Sequence, residues 1–558
     1  MEGDSRGKLF RKLRELGFTS VRSRGTARSF EGELRCKSGN IPVRLDITDW
    51  DFQKYPTIRL LSMPPSLPKL VPHIDAAGVL CYFSPGSTVL DRYRPDIAVW
   101  QCIDKAQQEM DRLISDDAYR ESEFQNEFEA NWALGQSPSP WPVLLGDASI
   151  KKSPIECFVI GSEAECRFMA SGSRTEVESL CATRRWPVCR SLGLSCWIVE
   201  SYSKPSLPKT GLPSTVVEML DWIKSWDPFA KKAIHEILGR SDYLRNESAY
   251  FLISTPCGWF GFQLDLDLVK RKGCLRKPTT YRQHLYGSGG ARKIARLSVY
   301  NVNTDYIHSR NMMGQNLKDK RITLVGCGAI GGHLALALSK LGAGSGAKGV
   351  LRLIDPDSIQ AENIGRHLLG LDHLYEAKVE AVRRHLLDQF PTLNIDAQKR
   401  RVEASDCAGD LIIDATGEES VGETINFYRL SLPLRARPQA LHTWIVGNGE
   451  CVQAIWCDSK KHACLHCLRQ GDDARTKRFD PLLTRPEVRI RGCDAFTPYA
   501  VAAPLMSTSL AIDMIIAWLA NSLKPRFRTR AVEGANIRQI KNQDVEPLSG
   551  CLACSDRS

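Results

Sequence analysis

The feature that most constrains this chain is a glycine-rich segment, Gly326–Gly331, whose three glycines Gly326, Gly328 and Gly331 form the pattern G-x-G-x-x-G. The apolar residues before it predict a strand and those after it predict a helix. Glycines at this spacing allow a tight turn and let the backbone approach a phosphate at the helix N-terminus. Further strand-like and helical runs alternate beyond it, at Val350–Asp355, Tyr375–Phe390 and Asp410–Asp414. This alternation predicts a doubly wound parallel sheet with a phosphate-binding loop.

The glycine pattern alone fits an NAD-dependent dehydrogenase as well as an ATP-binding enzyme. In either class Asp355, at the end of the second strand, can accept hydrogen bonds from ribose. The polar residues that follow favour ATP, because arginine and lysine together suit a triphosphate and an aspartate at a strand end suits Mg²⁺. Those residues are Asn363, Arg366, Lys378 and Asp414.

In this order the residues resemble the adenylation domain of ubiquitin-activating and ThiF-like enzymes, whose pattern is D-x-D…N-x-x-R…K…D. The resemblance implies that Asp355 contacts the ribose of ATP and that Asp414 holds Mg²⁺. It also implies phosphate contacts for Asn363, Arg366 and Lys378.

The segment just before the first strand, Tyr306–Asn311, resembles the R-Y-S-R-Q segment of the same family. In that family the final arginine reaches across a dimer to the ATP of the partner. The resemblance therefore implies that Arg310 acts in trans within a two-fold symmetric homodimer.

Four cysteines form two C-x₂-C pairs, separated by 83 residues (551 − 467 − 1): Cys464, Cys467, Cys551 and Cys554. Four thiolates from two such pairs make the closed tetrahedral arrangement of a structural Zn²⁺ site. The spacing predicts one Zn²⁺ that fastens the C-terminal segment to the preceding domain.

A lone cysteine, Cys493, lies in a polar loop ahead of the apolar helical stretch Leu505–Leu519. Ubiquitin-activating enzymes carry a cysteine in this region that takes the acyl group from the adenylate. Arg489 and Arg491 would favour its thiolate form. We expect Cys493 to form the first thioester.

The N-terminal part resembles ubiquitin-conjugating domains. Tyr55-Pro56 matches the Y/F-P segment, His73-Ile74-Asp75 stands at the H-P-N motif, and Gly78–Cys81 matches G-x-hydrophobic-C. Cys81 falls on the catalytic cysteine of that family, but aspartate replaces the asparagine whose amide would bind an oxyanion. The rival nucleophile is Cys102, in a predicted helix, and an inactive domain is a third possibility.

The sequence divides into three parts, 1–140, 150–296 and 297–558. We predict a multidomain α/β protein with a ubiquitin-conjugating-like α+β domain, a middle α/β linker domain and a Rossmann-like, ThiF-type adenylation domain with a zinc site. A polar, Ser/Pro-rich stretch, Gly135–Pro142, reads as a linker. The middle part contains no pattern that indicates chemistry.

The 558 residues carry 75 Lys+Arg and 64 Asp+Glu, a net charge of +11 without a basic block, so we expect no specific nucleic-acid partner. The N-terminus lacks the apolar core of a signal peptide, and no apolar run reaches the length that a membrane span needs. The chain has 19 cysteines, which without an export signal are typical of a reducing compartment. We expect a cytoplasmic location and no membrane partner.

A conjugating-type domain ahead of an activating domain resembles the bacterial fusions of CBASS anti-phage operons. The resemblance implies ATP-dependent activation of a partner protein's C-terminal carboxylate, that partner being a cGAS-like nucleotidyltransferase. It further implies a thioester on Cys493, transfer to Cys81 and delivery to an acceptor amine. Open alternatives are a ThiF-type sulfur-carrier adenylyltransferase, another bacterial ubiquitin-like pathway, a non-catalytic adaptor and, least consistent with Arg366 and Lys378, a dehydrogenase.

Overall fold

The computed structural model describes residues 2–22, 27–84, 86–134, 142–148, 153–162, 165–312, 315–459, 461–470, 476–491 and 494–555. These fall into two compact units. The first comprises Met1–Val177 with Trp186–Asn301, and the second comprises Glu178–Arg185 with Val302–Ser558.

The N-terminal part of the first unit is an antiparallel sheet with helices. Its elements are α1 (Glu2–Glu15), β1 (Thr19–Val21), β2 (Arg28–Cys36), β3 (Gly39–Ile47), β4 (Thr57–Leu60), β5 (Val79–Leu80), α2 (Pro95–Ser115), α3 (Asp117–Asn126) and α4 (Phe128–Trp132). The strands pair in sequence order. Every second residue of β3 from Ile41 to Ile47 is buried, as a sheet with one covered face requires. The covering helix α2 buries Ala98, Cys102 and Ala106 on one side.

The remainder of the first unit contains a closed barrel of seven strands, in the order β10-β11-β12-β6-β8-β7-β9. The strands are β6 (Pro142–Leu145), β7 (Ile155–Gly161), β8 (Cys166–Ser171), β9 (Val188–Glu200), β10 (Ser248–Thr255), β11 (Gly258–Asp265) and β12 (Ile294–Asn301). The helices along this part of the chain are α5 (Arg174–Thr183), α6 (Val216–Trp226), α7 (Pro228–Ile237), α8 (Leu268–Gly273) and α9 (Pro278–Tyr286). The boundary drawn from the sequence between 296 and 297 falls inside β12. Residues 135–141 of the expected linker lie outside the described residues.

The second unit is built on a seven-stranded sheet in the order β15-β14-β13-β16-β17-β18-β23. Its strands are β13 (Arg321–Val325), β14 (Val350–Ile354), β15 (Ile395–Gln398), β16 (Leu411–Asp414), β17 (Gln439–Val446), β18 (Cys451–Cys457) and β23 (Phe527–Ala531). Two small ribbons are formed by β19 (Arg469–Gln470) with β20 (Thr476–Lys477), and by β21 (Arg489–Arg491) with β22 (Asp494–Phe496). Strands β13 to β17 are parallel to one another. Strand β18 is antiparallel to both of its neighbours, β17 and β23. The predicted doubly wound sheet is confirmed.

Besides the end of α5, the helices that the structure describes in this unit are α10 (Thr304–Ser309), α11 (Ala329–Lys340), α12 (Ala361–Ile364), α13 (Lys378–Gln389), α14 (Glu419–Ser431) and α15 (Ala502–Leu519). Helix α15 is long and apolar enough to cross a membrane by length and composition, contrary to the expectation from the sequence that no such run exists. It nevertheless places Leu510, Met514 and Ile515 in the core that covers the sheet. The helix therefore has the packing of a core helix.

Candidate active site

The glycine loop lies where the strand order of the second unit reverses. Strand β13 has β14 on one side and β16 on the other, and its last residue, Val325, is paired with Ile354 and with Asp414. Asp355 follows Ile354 directly, so the loop Gly326–Gly331 leaves the sheet between two carboxylates. In open parallel sheets this reversal point, at the carboxyl ends of the strands, is where ligands bind.

Each glycine of the loop has a different physical reason to be glycine. Gly326 has φ +88°, a backbone conformation that other residues rarely adopt. A Cβ on Gly331 would lie 1.7 Å from the carbonyl oxygen of Gly326, so the close approach of helix and turn requires its absence. A Cβ on Gly328 would meet nothing within 4 Å. The space beside Gly328 is therefore open, as the approach of a phosphate to the backbone requires.

The carboxylate of Asp355 holds the loop in place. Its Oδ2 accepts a hydrogen bond from the backbone N–H of Cys327 at 2.7 Å, and its Oδ1 accepts one from Asp357 N at 2.9 Å. Lys378, at the start of α13, places its Nζ 2.8 Å from Asp357 Oδ2 and 3.9 Å from Asp355 Oδ1. Asp355 and Lys378, which lie 23 positions apart in the sequence (378 − 355), are thus brought to one edge of the sheet.

His367 joins the same loop to the segment that carries Asn363 and Arg366. Its Nε2 lies 2.8 Å from the carbonyl oxygen of Cys327, and its Nδ1 accepts a hydrogen bond from Leu369 N at 3.1 Å. The ring is therefore the neutral tautomer with the proton on Nε2. Burial lowers the pKa of His367, which is consistent with that neutral form.

The two other expected phosphate ligands lie in that segment. Asn363 Oδ1 accepts a hydrogen bond from Gln360 N at 3.0 Å and so closes the first turn of α12. The guanidinium carbon of Arg366 lies 4.8 Å from the ring centroid of Tyr499, a cation–π contact that fixes the direction of the side chain.

Asp414, the expected Mg²⁺ ligand, is held from two sides. Its Oδ1 accepts hydrogen bonds from Thr416 Oγ1 at 2.7 Å and Thr416 N at 3.1 Å. Its Oδ2 lies 3.0 Å from Nδ1 of the buried His442. His442 lies on β17, directly opposite Asp414 on β16. A cavity of about 150 Å³ opens beside this pair. Sequence reasoning missed His442, because only the pairing of β16 with β17 reveals it.

The two C-x₂-C pairs converge. The Sγ–Sγ distances are 3.6 Å for Cys464–Cys467, 3.9 Å for Cys464–Cys551 and 3.6 Å for Cys467–Cys554. Ligands about 2.3 Å from a tetrahedrally coordinated Zn²⁺ would be separated by about 3.8 Å, so the cluster has the size of a zinc site. The backbone N–H of Leu548 donates to Cys467 Sγ at 3.4 Å, as a thiolate ligand favours.

His466, between two of these cysteines, pairs instead with Glu423, its Nδ1 lying 3.1 Å from Glu423 Oε1. It is not one of the four clustered ligands.

In the first unit, Cys81 follows β5 and is exposed at the edge of a cleft of about 640 Å³. The backbone N–H of Cys81 donates to His73 O at 2.7 Å, which places the thiol beside the imidazole. A ring nitrogen of His73, the Sγ of Cys81 and a carboxylate oxygen of Glu127 lie within 4.8 Å of one another. Asp75, at the asparagine position of the family motif, lines the same cleft. Its Oδ1 accepts hydrogen bonds from Ala77 N and Val79 N, both at 2.8 Å.

The rival cysteine has a different environment. Cys102 is fully buried on α2, and burial raises the pKa of its thiol to about 12. A protonated thiol without solvent access does not attack an incoming acyl group. This environment favours Cys81 as the nucleophile of the N-terminal domain.

The remaining expected catalytic residues lie in the second unit. Arg310 is exposed and follows the last turn of α10. Cys493 lies outside the described residues, and of the two arginines expected to support it, Arg489 forms an ion pair with Glu487, with Nε 2.8 Å from Oε1. The side chain of Arg491 is also outside the described part of the chain.

Comparison with known proteins identifies both ends of the chain. The model of the ThiF family matches residues 308–550, and that of prokaryotic E2 family B matches residues 18–137. The chain is 29% identical over 514 residues to the ATP-dependent ubiquitin transferase-like protein Cap2 of Pseudomonas aeruginosa, covering 90% of this chain and 89% of that protein. Identity to the Escherichia coli protein of the same name is 25% over 571 residues, covering 94% and 93%. Among solved structures, E. coli MccB matches 50% of this chain and 72% of its own, at 15% identity and a TM-score of 0.35.

Proposed function

Because the chain is a fused enzyme that joins a prokaryotic E2-like domain to a ThiF-family activating domain, we propose that it activates a partner protein's C-terminal carboxylate with ATP and delivers the acyl group through Cys81 to an amine. The proposal rests on the chain having both an open phosphate-binding type of loop and an exposed thiol. The loop is the glycine loop between Asp355 and Asp414, and the thiol is that of Cys81 in its cleft.

The first step takes place at the glycine loop. The backbone beside Gly328 receives the phosphates, Asp355 accepts from the ribose, and Arg366 and Lys378 bind the triphosphate. Asp414 would hold Mg²⁺, which neutralises phosphate charge and assists the departure of pyrophosphate. A carboxylate oxygen of the partner attacks the α-phosphorus, the bond to the β-phosphate breaks, and an acyl adenylate remains.

The following steps are acyl transfers. We propose that the Cys493 thiolate attacks the carbonyl carbon of the adenylate and expels AMP, and that the Cys81 thiolate then displaces Cys493 from the same carbon. An acceptor amine, such as that of a lysine, finally displaces Cys81, forms the amide and loses one proton to solvent. No step is an oxidation or a reduction, so the reaction needs no co-substrate besides ATP.

We propose a cGAS-like nucleotidyltransferase of an anti-phage operon as the conjugated partner. The name that the relatives carry, ATP-dependent ubiquitin transferase-like protein, supports the reaction class and leaves the partner to be identified. A nucleotidyltransferase gene beside this one would identify the protein to test, whereas a small ubiquitin-like gene in that place would direct the test to another conjugation pathway.

Exchange of labelled pyrophosphate into ATP tests the adenylation step. With the partner protein present, the wild-type chain should catalyse exchange, and without it exchange should be at background. Asp414→Asn keeps the size of the side chain but removes the charge that binds Mg²⁺, so exchange should fall by about 10²-fold or more. Asp410→Asn, just before the other end of β16, is the matched control and should leave the rate unchanged.

Exchange that survives Asp414→Asn would contradict the assignment of this aspartate. Tight binding of NADH with no binding of ATP would contradict the proposed function itself. A chain that exchanges pyrophosphate but never acylates Cys81 would be a simple ThiF-type adenylyltransferase.

A further inference from the structure

The cleft at Cys81 has no asparagine side chain in the position where the conjugating motif would supply an oxyanion donor. When a nucleophile adds to a thioester carbonyl, negative charge develops on the oxygen, and a fixed hydrogen-bond donor there is usually a large contribution to the rate. Asp75 cannot donate when it is ionised, and both hydrogen bonds recorded for its carboxylate come from its own turn. A donor for this oxygen is therefore to be sought among the other groups of the cleft.

Three other polar side chains that line the cleft each donate a hydrogen bond to a protein atom. Asn126 Nδ2 donates to Glu123 Oε1 at 3.2 Å, and Asn131 Nδ2 donates to the backbone oxygen of Glu127 at 3.1 Å. The hydroxyl of Tyr55 donates to Thr88 O at 2.7 Å. These three donors are directed at protein atoms.

His73 has a ring nitrogen available beside the thiol. Its Nε2 lies 3.0 Å from Glu123 Oε2, whereas its Nδ1 is buried and has no hydrogen bond of good geometry among the residues that the structure describes. Glu127 Oε1 is 3.3 Å from Nδ1 but is poorly aligned with it. A ring nitrogen of His73 lies within 4.8 Å of Cys81 Sγ. The ring is therefore close to where the carbonyl oxygen of an acyl group bound to that sulfur would lie.

The surroundings of His73 favour the imidazolium, in which both nitrogens are donors. Burial by itself lowers the pKa of His73, but the Cys81 thiol and the carboxylates of Glu127, Glu109 and Glu123 outweigh this effect and raise it to about 9. The backbone of His73 has φ +64°, a left-handed conformation that is uncommon for residues other than glycine and that clusters at functional sites.

We propose that the Nδ1–H of His73 donates the hydrogen bond that stabilises the oxyanion formed when an acyl group enters or leaves Cys81. This inference rests on the proposed function of Cys81 as an acyl acceptor. Glu123 and Glu127 are positioning residues, since they hold the ring and balance its charge without touching the reacting carbon.

The role involves no net proton transfer from His73. As the Cys81 sulfur adds to the incoming carbonyl carbon, a C–S bond forms and the carbonyl electron pair moves to oxygen, where Nδ1–H donates to it. The carbonyl re-forms as the bond to the departing sulfur breaks, and that sulfur leaves as thiolate. In the second transfer an amine nitrogen adds to the same carbon, loses its proton to solvent, and Cys81 departs.

The test loads Cys81 without ATP, from a short synthetic peptide thioester of 2-mercaptoethanesulfonate, and follows discharge to free lysine by mass spectrometry of the full chain. His73→Ala should slow both loading and discharge by about 10²–10³-fold, the usual effect of removing one oxyanion donor. His73→Asn keeps a neutral N–H donor and tolerates positive φ, so it should recover part of the rate.

Alkylation of Cys81 by iodoacetamide is the matched control reaction. It uses the same sulfur but builds no oxyanion, so its rate in His73→Ala should stay within about threefold of the wild-type rate. The exposed Cys166 and Cys189 report the general reactivity of thiols in the chain, and protection of the buried Cys102 shows that each variant is folded.

A parallel fall in alkylation and acyl transfer would overturn the proposal, because His73 would then act on the thiol itself. Unchanged acyl transfer in His73→Ala, or no recovery in His73→Asn, would overturn it as well. If the wild-type chain accepts no acyl group on Cys81, the proposed function of Cys81 fails and the role of His73 with it. Normal wild-type loading with a failed His73 prediction would reject the inference about His73 alone.

Discussion

Lys378, the expected phosphate ligand, is paired with two carboxylates in the structure. Its side chain is largely buried at the start of α13, and its ammonium group lies between the carboxylates of Asp355 and Asp357. A buried charge of this kind needs partners, and these carboxylates supply them. A triphosphate in the glycine loop would offer the ammonium group further charge-assisted hydrogen bonds.

We therefore expect Lys378→Ala to weaken ATP binding by about 10–100-fold, the loss of one charge-assisted hydrogen bond. Isothermal titration of the full chain with ATP and Mg²⁺ measures the change. Lys399→Ala is the control, because Lys399 is an exposed lysine that contacts the same loop through Ser358 Oγ, at 3.4 Å. Equal effects of the two substitutions would show that Lys378 has no specific role.

At the scale of elements, the loop between β13 and α11 offers a matched pair of substitutions. Gly331→Ala should destabilise the unit by about 1–3 kcal/mol, because its Cβ would overlap the carbonyl oxygen of Gly326. Gly328→Ala should change the free energy of unfolding by less than about 0.5 kcal/mol, since its Cβ meets no protein atom, but weaken ATP binding by about tenfold or more. Thermal unfolding and nucleotide titration separate the two effects. Normal ATP affinity in Gly328→Ala would mean that the phosphates do not lie at this turn.

The cysteine cluster joins the short helical turn at Leu465–Leu468 to the C-terminal segment. We expect the chain to purify with about one Zn²⁺, and Cys551→Ser to release it and to lower the unfolding temperature of the second unit. A chromogenic chelator assay measures the metal. Cys457→Ser is the control, because Cys457 is buried close by but donates to Ala463 O and lies outside the four-cysteine group. Full zinc content in Cys551→Ser would contradict a four-thiolate site.

Local sequence patterns were sufficient to predict the parallel sheet of the second unit. The strand predicted directly before the glycine loop is present as Arg321–Val325, since an apolar run that ends at a glycine turn is encoded by adjacent residues. The closed barrel of the first unit was not foreseen. Its closure depends on β6 pairing with β12 about 150 residues later in the chain, and no local pattern reports that pairing.

The same contrast holds for the candidate sites. The glycine loop, Asp355 and Asp414 could be placed from the sequence because each ends a strand of one parallel sheet. The carboxylates around His73 could not, because they follow Cys81 in the chain by many residues: Glu109 lies on α2, Glu123 on α3, and Glu127 between α3 and α4. In the structure three carboxylates thus lie within 4.0 Å of the ring nitrogens of His73, the neighbour of Cys81.

At the scale of the whole molecule, the expected assembly is a two-fold symmetric homodimer in which Arg310 acts on the partner's ATP. Light scattering of the purified chain should give twice the mass of one chain. Arg310→Ala and Asp414→Ala chains should each be inactive in pyrophosphate exchange, but a mixture should regain part of the activity, because one site of each heterodimer keeps both groups. No recovery, with heterodimers demonstrated, would mean that Arg310 acts in its own chain or not at all.

The two units of the chain are proposed to act in succession on one acyl group. Cys81→Ala should leave pyrophosphate exchange intact, because the adenylation site lies in the other unit. It should also abolish the final conjugate, because the last acceptor thiol is missing. Cys102→Ala is the control for the same domain and should form conjugate at the normal rate.

The decisive measurement is the fate of the partner's acyl group in the Cys81→Ala chain, followed by gel electrophoresis with and without reductant. We predict that a nucleotidyltransferase partner accumulates on this variant as a reductant-sensitive thioester and that no reductant-resistant amide appears. Reductant-resistant conjugate formed by Cys81→Ala at the wild-type rate would show that the E2-like domain only binds, and that the acyl group never passes through Cys81.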